Sequence, residues 1–194
     1  MRSWTSPSPV GVSDRRAVLS CLVGQHADDA GSDDTLPIDA SLLDPSSGLF
    51  AEPFFLATVS WRLIACRRVL RPLSISLFEV VDGLPDGPVV PSDPNVITAM
   101  VKATLRTSDI AARMSNGTYG LMMEDTPEDG AVWAVERLRR SLGSKPGSRA
   151  LRAGVACYPG HALTPADIVR YATSAFASAR EWPQDRIEVA PTSG

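Results

Sequence analysis

The strongest constraint on the fold is an Asn-Gly pair, Asn116-Gly117, which separates two runs of alternating apolar residues. The first run has apolar side chains at Ile110, Ala112 and Met114, and the second at Tyr119, Leu121 and Met123. Asn-Gly in this position is the strongest short-range signal for a β-hairpin, because both residues tolerate the positive φ angles of a type I′ turn. The sequence therefore predicts two antiparallel strands joined by a tight turn at Asn116-Gly117.

The composition is that of an ordinary globular protein, and it argues against several functional classes. Of 194 residues, 44% are hydrophobic and 21% are charged, which suits one domain of common size plus a tail. The formal net charge of −3 argues against a general nucleic-acid binder, which would carry a basic face. The 3 cysteines are far apart and only 2 histidines are present, so neither a disulfide framework nor a metal site is predicted. Because no apolar run has the length of a membrane helix, we expect a cytoplasmic protein.

The chain divides into a polar N-terminal stretch and one longer patterned region. Residues 1–40 predict a tail or linker with a short helix at 17–23, which would join any upstream sensory module to the rest. Residues 41–190 carry the helix and strand patterns of a single domain, and residues 191–194 predict a C-terminal tail. In the first long helix, residues at helical spacing predict a core face composed of Phe54, Ala57, Trp61, Ile64, Ala65 and Arg68.

Arg106 and Asp109 precede the predicted hairpin, near the end of a predicted helical segment. A guanidinium can donate two hydrogen bonds to the O6/N7 edge of a purine, and a carboxylate can accept from its amino and imino hydrogens. The same spacing is also typical of an i, i+3 ion pair near a helix end, which contributes only a few tenths of a kcal/mol. The two residues alone therefore leave a purine site and a surface ion pair open.

The arrangement around Arg106 and Asp109 resembles that of a known family. Arg-x-x-Asp, five further residues and then a five-residue hairpin tip are typical of the GGDEF domain of diguanylate cyclases. Further similar segments lie at 44–49, 154–159 and 164–180, so the resemblance spans roughly Asp44 to Val189. It implies an α+β fold of the ferredoxin-like nucleotide-cyclase type, with a mixed, mainly antiparallel sheet flanked by helices. In that family the hairpin tip carries catalysis, and the Arg-x-x-Asp motif is the inhibitory site that binds cyclic di-GMP.

The chain departs from the family at the positions that resemblance assigns to catalysis. The tip reads SNGTY at 115–119 where the family has Gly-Gly-Asp/Glu-Glu-Phe, so Gly117 replaces the essential carboxylate. The strand that holds magnesium through Asp-hydrophobic-Asp in the family reads Glu79-Val80-Val81 here. A breaker-rich loop at 82–94 replaces the segment that grips phosphate and guanine. The resemblance therefore implies a degenerate, inactive GGDEF-like domain with no catalytic residue, metal or cofactor.

The resemblance also implies a ligand site made of Arg106, Asp109 and one more arginine. In the family that arginine lies on the helix after the hairpin, where Arg137 is the best positional candidate and Arg139 and Arg140 are its rivals. Arginines at a helix end also complement the helix dipole, which is the simpler interpretation of all three.

Three functions stay open at this stage. The first is a cyclic di-GMP-binding receptor or regulatory module, in which a stacked ligand dimer bridges two protomers. The second is a ligand-free module for protein interaction or dimerisation, with a protein partner, an upstream sensory module or a second copy of the chain. The third is residual GTP binding or cyclase activity, against which the missing hairpin carboxylate argues.

Overall fold

The computed structural model describes residues 38–83, 88–142 and 149–192. Residues 1–37 of the predicted N-terminal tail, with its helix at 17–23, lie outside the described residues, as do residues 84–87 of the 82–94 loop. The described helices are α1 (Glu52–Val69), α2 (Pro94–Thr104), α3 (Glu128–Ser141) and α4 (Pro165–Arg180). The described strands are β1 (Phe50–Ala51), β2 (Leu73–Asp82), β3 (Val90–Pro91), β4 (Ile110–Arg113), β5 (Tyr119–Glu124), β6 (Arg149–Tyr158) and β7 (Arg186–Val189).

The strands form one mixed sheet whose centre is antiparallel. The strand order is β1-β4-β5-β2-β6-β7, and β3 pairs with the far end of β2. β2 runs antiparallel to β5, β6 and β3, whereas the outer pairs β1–β4 and β6–β7 are parallel. The prediction of an α+β fold with a mixed, mainly antiparallel sheet is therefore confirmed.

The sheet separates two hydrophobic cores, because successive residues of a strand point to opposite faces. On one face, Ile75 and Leu77 pack with residues of α1 and α4. On the other face, Phe78 and Val80 pack with residues of α2 and α3. Within the described residues, no helix is both long enough and apolar enough to cross a membrane. The loops between α2 and β4 and between β5 and α3 lie on the α2/α3 side, where they build the site described below.

The predicted core face of α1 is wrong. The buried residues of this helix are Phe55, Thr58, Val59, Leu63 and Cys66, whereas Trp61 is 68% exposed and Ile64 is 49% exposed. Two apolar stripes at helical spacing run along α1, and periodicity alone does not decide which one packs. Packing decides it through Phe55, whose ring lies over Gly120, so close that a Cβ there would meet the ring Cζ at 2.9 Å. The stripe containing Trp61 and Ile64 is left on the surface.

The predicted hairpin is confirmed, but its turn type is not I′. Gly117 has a φ of +84°, whereas the only non-glycine residues with positive φ in the described ranges are Leu70 and Asp125. Gly117 donates to the Met114 carbonyl at 2.9 Å, and Met114 donates to the Thr118 carbonyl at 2.8 Å. These bonds define a three-residue loop in which a turn is followed by one left-handed residue. Asn116 uses its side chain instead of a left-handed backbone, because its Oδ1 accepts from the Thr118 N–H at 3.0 Å.

Candidate functional site

Arg106 and Asp109 lie in the loop between α2 and β4 and not on a helix. α2 ends at Thr104, and the Asp109 N–H donates to the Arg106 carbonyl at 3.0 Å. A second hydrogen bond joins the same two residues, in which the Arg106 N–H donates to Asp109 Oδ2 at 3.0 Å. The helical placement and the i, i+3 side-chain ion pair considered from the sequence are therefore wrong. The carboxylate holds the loop backbone, so the Arg106 side chain stays out of an ion pair and exposed.

Asp109 is a buried carboxylate, with only 4% of the residue exposed. Burial raises the pKa of Asp109, while the Arg106 N–H and the charges of Arg106 and Arg137 act in the opposite direction. The pKa of Asp109 is raised overall, because the loss of hydration disfavours the charged carboxylate more than these partners stabilise it. A buried acid with a perturbed pKa beside arginines is a feature of functional sites, although structural networks also produce it.

One pocket of about 280 Å³ brings the three predicted ligand-binding residues together. Arg106 and Asp109 come from the loop before β4, and Arg137 comes from the second half of α3. α3 lines the pocket with residues at i, i+3, i+4 and i+7, which lie on one helical face: Gly130, Trp133, Ala134 and Arg137. The remaining lining residues are Met123, Asp125, Thr126 and Pro127. That these residues bind a ligand stays a prediction.

The arginines on α3 differ in their partners, and this separates Arg137 from its two rivals. Arg139 pairs with Glu136 at 2.9 Å and with Asp185 at 3.2 Å, and Arg140 lies 5.6 Å from the centre of the Trp133 ring. Within the described ranges, the guanidinium groups of Arg106 and Arg137 form no hydrogen bond or ion pair. Two cationic groups with unused donors therefore line a pocket beside a buried carboxylate.

Replacing Asp109 with asparagine is expected to raise the free energy of unfolding at neutral pH. A carboxylate whose folded pKa lies above the unfolded value of 3.8 lowers stability as the pH rises from 3.8 through the folded pKa. Asparagine keeps an oxygen that accepts from the Arg106 N–H, but it carries no charge to bury. Urea denaturation across this pH range should show a smaller fall in stability for the variant. A variant less stable than the wild type by the same amount at every pH would contradict this account.

The hairpin tip carries no side chain suited to holding a metal ion. Ser115 donates its N–H to the Glu52 carboxylate at 3.0 Å and its hydroxyl to the same oxygen. The Thr118 hydroxyl donates to Asn116 Oδ1 at 2.6 Å. These bonds fix the tip to the start of α1 and to itself. Hard divalent cations need carboxylate or carbonyl oxygens that converge on one point, and the tip does not offer them.

Glu79, the acid in the segment of β2 that resembles the family's magnesium-holding strand, is engaged by two arginines. Its Oε1 lies 3.3 Å from Arg152 on the neighbouring strand β6 and 3.2 Å from Arg180 at the end of α4. The Glu79 side chain is 13% exposed and that of Arg152 is 10% exposed, so the pair is largely shielded from water. Arg152 could not be identified as the partner of Glu79 from the sequence, because the register that places the two residues opposite each other appears only in the sheet.

The residues around Glu79 do not fit the magnesium site that the fold family implies. Its carboxylate already forms ion pairs with two guanidinium groups, and the hairpin tip offers no second acid. In the ranges that the structure describes, no three His, Cys, Asp or Glu side chains cluster so that they could hold a metal ion. No chemical step is therefore derived through a metal at this end of the sheet.

Solved structures with the same fold are GGDEF domains. The GGDEF domain of PA1120 (TpbB or YfiN) from Pseudomonas aeruginosa is 21% identical, with a TM-score of 0.64 over 77% of this chain and 94% of that one. The coiled coil and GGDEF domain of DgcB from Caulobacter crescentus, in complex with c-di-GMP, is 11% identical, with a TM-score of 0.64 over 77% and 86%. Diguanylate cyclase SiaD from Pseudomonas aeruginosa, in complex with its activator SiaC, is 20% identical, with a TM-score of 0.60 over 76% and 62%. No family model and no curated protein matches the chain. The chain therefore has the GGDEF fold, which was predicted from the order of its motifs.

Proposed function

We propose that this chain is a catalytically inactive GGDEF-like domain that acts as a cyclic di-GMP receptor through Arg106, Asp109 and Arg137. The observation that carries the proposal is the single pocket that these three residues line, in which both guanidinium groups have unused donors. The solved complex of DgcB with c-di-GMP supports the choice of ligand, because it shows this fold binding that dinucleotide.

The chemistry of the pocket suits a guanine base and its phosphate. Arg106 can donate in a fork to O6 and N7, and Asp109 can accept from the amino and imino hydrogens of the same base. Arg137 is then available for a phosphate oxygen. A pocket of about 280 Å³ is at the lower end of ligand-site volumes, so it seats part of a dinucleotide. The rest of the ligand would extend outward, where a second ligand and a second protomer can meet it.

The absence of cyclase activity is the second part of the proposal. Cyclisation needs carboxylate-held metal ions and an activated 3′-hydroxyl. Gly117 has no side chain, and Glu79 forms ion pairs with Arg152 and Arg180. Freeing Glu79 for a metal would leave two arginines uncompensated, one of them mostly buried, which is costly. We therefore propose that binding is the function of the domain and turnover is not.

Calorimetric titration of the wild-type protein tests the proposal. We expect saturable binding of cyclic di-GMP with micromolar or tighter affinity, and no cyclic product when GTP and magnesium are supplied. GTP with magnesium is the control ligand, since the proposal gives this domain no site for a triphosphate and its metal ion. Absence of heat with cyclic di-GMP, from protein shown to be folded, would contradict the receptor function. Magnesium-dependent conversion of GTP would contradict the claim of inactivity.

A protein-interaction module is the second candidate, and the surface of α1 favours it. Trp61, Ile64, Val69 and Leu70 are 68%, 49%, 55% and 85% exposed, and all lie on α1 or directly after it. Large exposed apolar side chains at neighbouring positions are typical of interaction surfaces. The complex of SiaD with SiaC shows a protein of this fold with a protein partner. The main ligand would then be a protein partner in the cytoplasm, an upstream sensory module or a second protomer. This candidate predicts a folded protein that gives no heat with cyclic di-GMP.

A further inference from the structure

Trp133 is a tryptophan that lines the pocket and yet is 67% exposed. Large aromatic side chains are usually buried, because burial removes a large apolar area from water. Trp133 lies on α3 four residues before Arg137 and therefore on the same face. Its i, i+4 spacing to Arg137 is visible in the sequence, but its exposure is seen only in the structure.

The surroundings of Trp133 leave room for a flat group. Gly130 and Ala134, which line the pocket on the same face of α3, have little or no side chain. The Arg140 guanidinium lies 5.6 Å from the centre of the indole ring, within the range of a cation–π contact. That contact favours one orientation of an otherwise exposed ring. The pocket thus combines an aromatic face with the hydrogen-bonding groups of Arg106 and Asp109.

We infer that Trp133 is a stacking platform for a purine base of the bound dinucleotide. This inference rests on the proposed function and adds a specificity-determining residue to the same site. The edge of the base is held by Arg106 and Asp109, and its face lies against the indole of Trp133. Stacking of a base on an aromatic ring is a general source of nucleotide affinity and does not depend on which base is present.

A nucleotide base suits this tryptophan better than a protein partner does. Protein interfaces place tryptophan at the centre of an apolar patch. The residues that share the pocket with Trp133 are instead rich in charge, with Arg106, Asp109, Asp125 and Arg137 among them. A flat ring with a polar edge can stack on the indole and accept from the Arg106 guanidinium, whereas an apolar side chain offers that guanidinium no acceptor.

Binding of cyclic di-GMP to three variants tests the inference. Trp133→Ala is expected to weaken the affinity roughly tenfold to a hundredfold, because the stacking surface is lost. Trp133→Phe keeps an aromatic face and is expected to bind within about threefold of the wild type. Trp61→Ala is the matched control, since Trp61 is 68% exposed but lies on α1, outside the pocket. Its affinity should equal that of the wild type.

Tryptophan fluorescence supplies a signature that a merely structural role would not produce. Stacking of guanine on the indole should quench the emission of the wild type and of Trp61→Ala, and the quenching should vanish in Trp133→Phe while the affinity persists. Unchanged affinity in Trp133→Ala, in a protein that still needs Arg106, would overturn the stacking role and leave the receptor function intact. Absence of binding by the wild type would overturn both.

Discussion

Replacing Gly154 with alanine is expected to lower the free energy of unfolding by at least about 3 kcal/mol. Gly154 lies in the middle of β6, where the backbone of α4 packs directly on the sheet. A Cβ at this position would lie 2.1 Å from the backbone nitrogen of Phe176 and 2.5 Å from the carbonyl oxygen of Ala172. These are helix backbone atoms, so no side-chain rotation relieves the overlap. α4 must move away from the sheet, and the core between them opens.

Gly160→Ala is the matched control for this substitution. No atom lies within 4 Å of a Cβ at Gly160, so its stability should stay within about 0.5 kcal/mol of the wild type. Urea denaturation monitored by circular dichroism measures both variants. Equal stability of Gly154→Ala and wild type would contradict the close contact between α4 and β6. It would also weaken the account of the fold, because this contact fixes α4 on the sheet.

Replacing Arg106 with alanine is expected to weaken cyclic di-GMP binding by at least roughly a hundredfold, which calorimetry would register as a loss of binding. The guanidinium is exposed in the pocket and makes no contact that maintains the fold. Its removal therefore takes a forked, charge-assisted pair of bonds from the ligand and leaves the guanine O6 and N7 unpaired. Stability should fall only slightly, because the Arg106 N–H still reaches Asp109 although the guanidinium charge that favours this carboxylate is lost.

Arg68→Ala is the matched control for the charge that is removed. Arg68 is exposed on α1, which packs on the opposite face of the sheet from the pocket. Both substitutions change the net charge by the same amount, so a purely long-range electrostatic effect would weaken binding equally in both. Equal weakening, or unchanged binding in Arg106→Ala, would contradict direct recognition by Arg106.

The strands and helices of this fold could be predicted because local patterns specify them. Alternating apolar residues and Asn-Gly predicted the hairpin at 110–123, and the succession of motifs predicted the sheet. The turn type could not be predicted, because Asn116 satisfies the backbone through its side chain and so avoids the left-handed region. The buried stripe of α1 could not be predicted either. Trp61 and Phe55 belong to equally regular apolar stripes, and the contact of Phe55 with Gly120 distinguishes them.

The residues proposed for the candidate site could be chosen from the sequence, but their geometry could not be predicted. Arg106, Asp109 and Arg137 were chosen from their order along the chain, and the structure places all three around one pocket. The bond from the Arg106 N–H to Asp109 was not predicted, because it depends on the chain leaving the helix at Thr104. The engagement of Glu79 by Arg152 was not predicted either, because the two residues meet only through the register of β2 with β6.

Chemical-shift mapping by NMR during a cyclic di-GMP titration is the most direct test of the central claim. The account predicts that the largest changes fall on the backbone amides of residues 106–110 and 126–137, which surround the pocket. Amides near Glu79, Arg152 and Arg180 should change little, because the proposed binding site lies away from these residues. Changes concentrated there or at the hairpin tip, or no changes at saturating ligand, would contradict a receptor site built on Arg106 and Asp109.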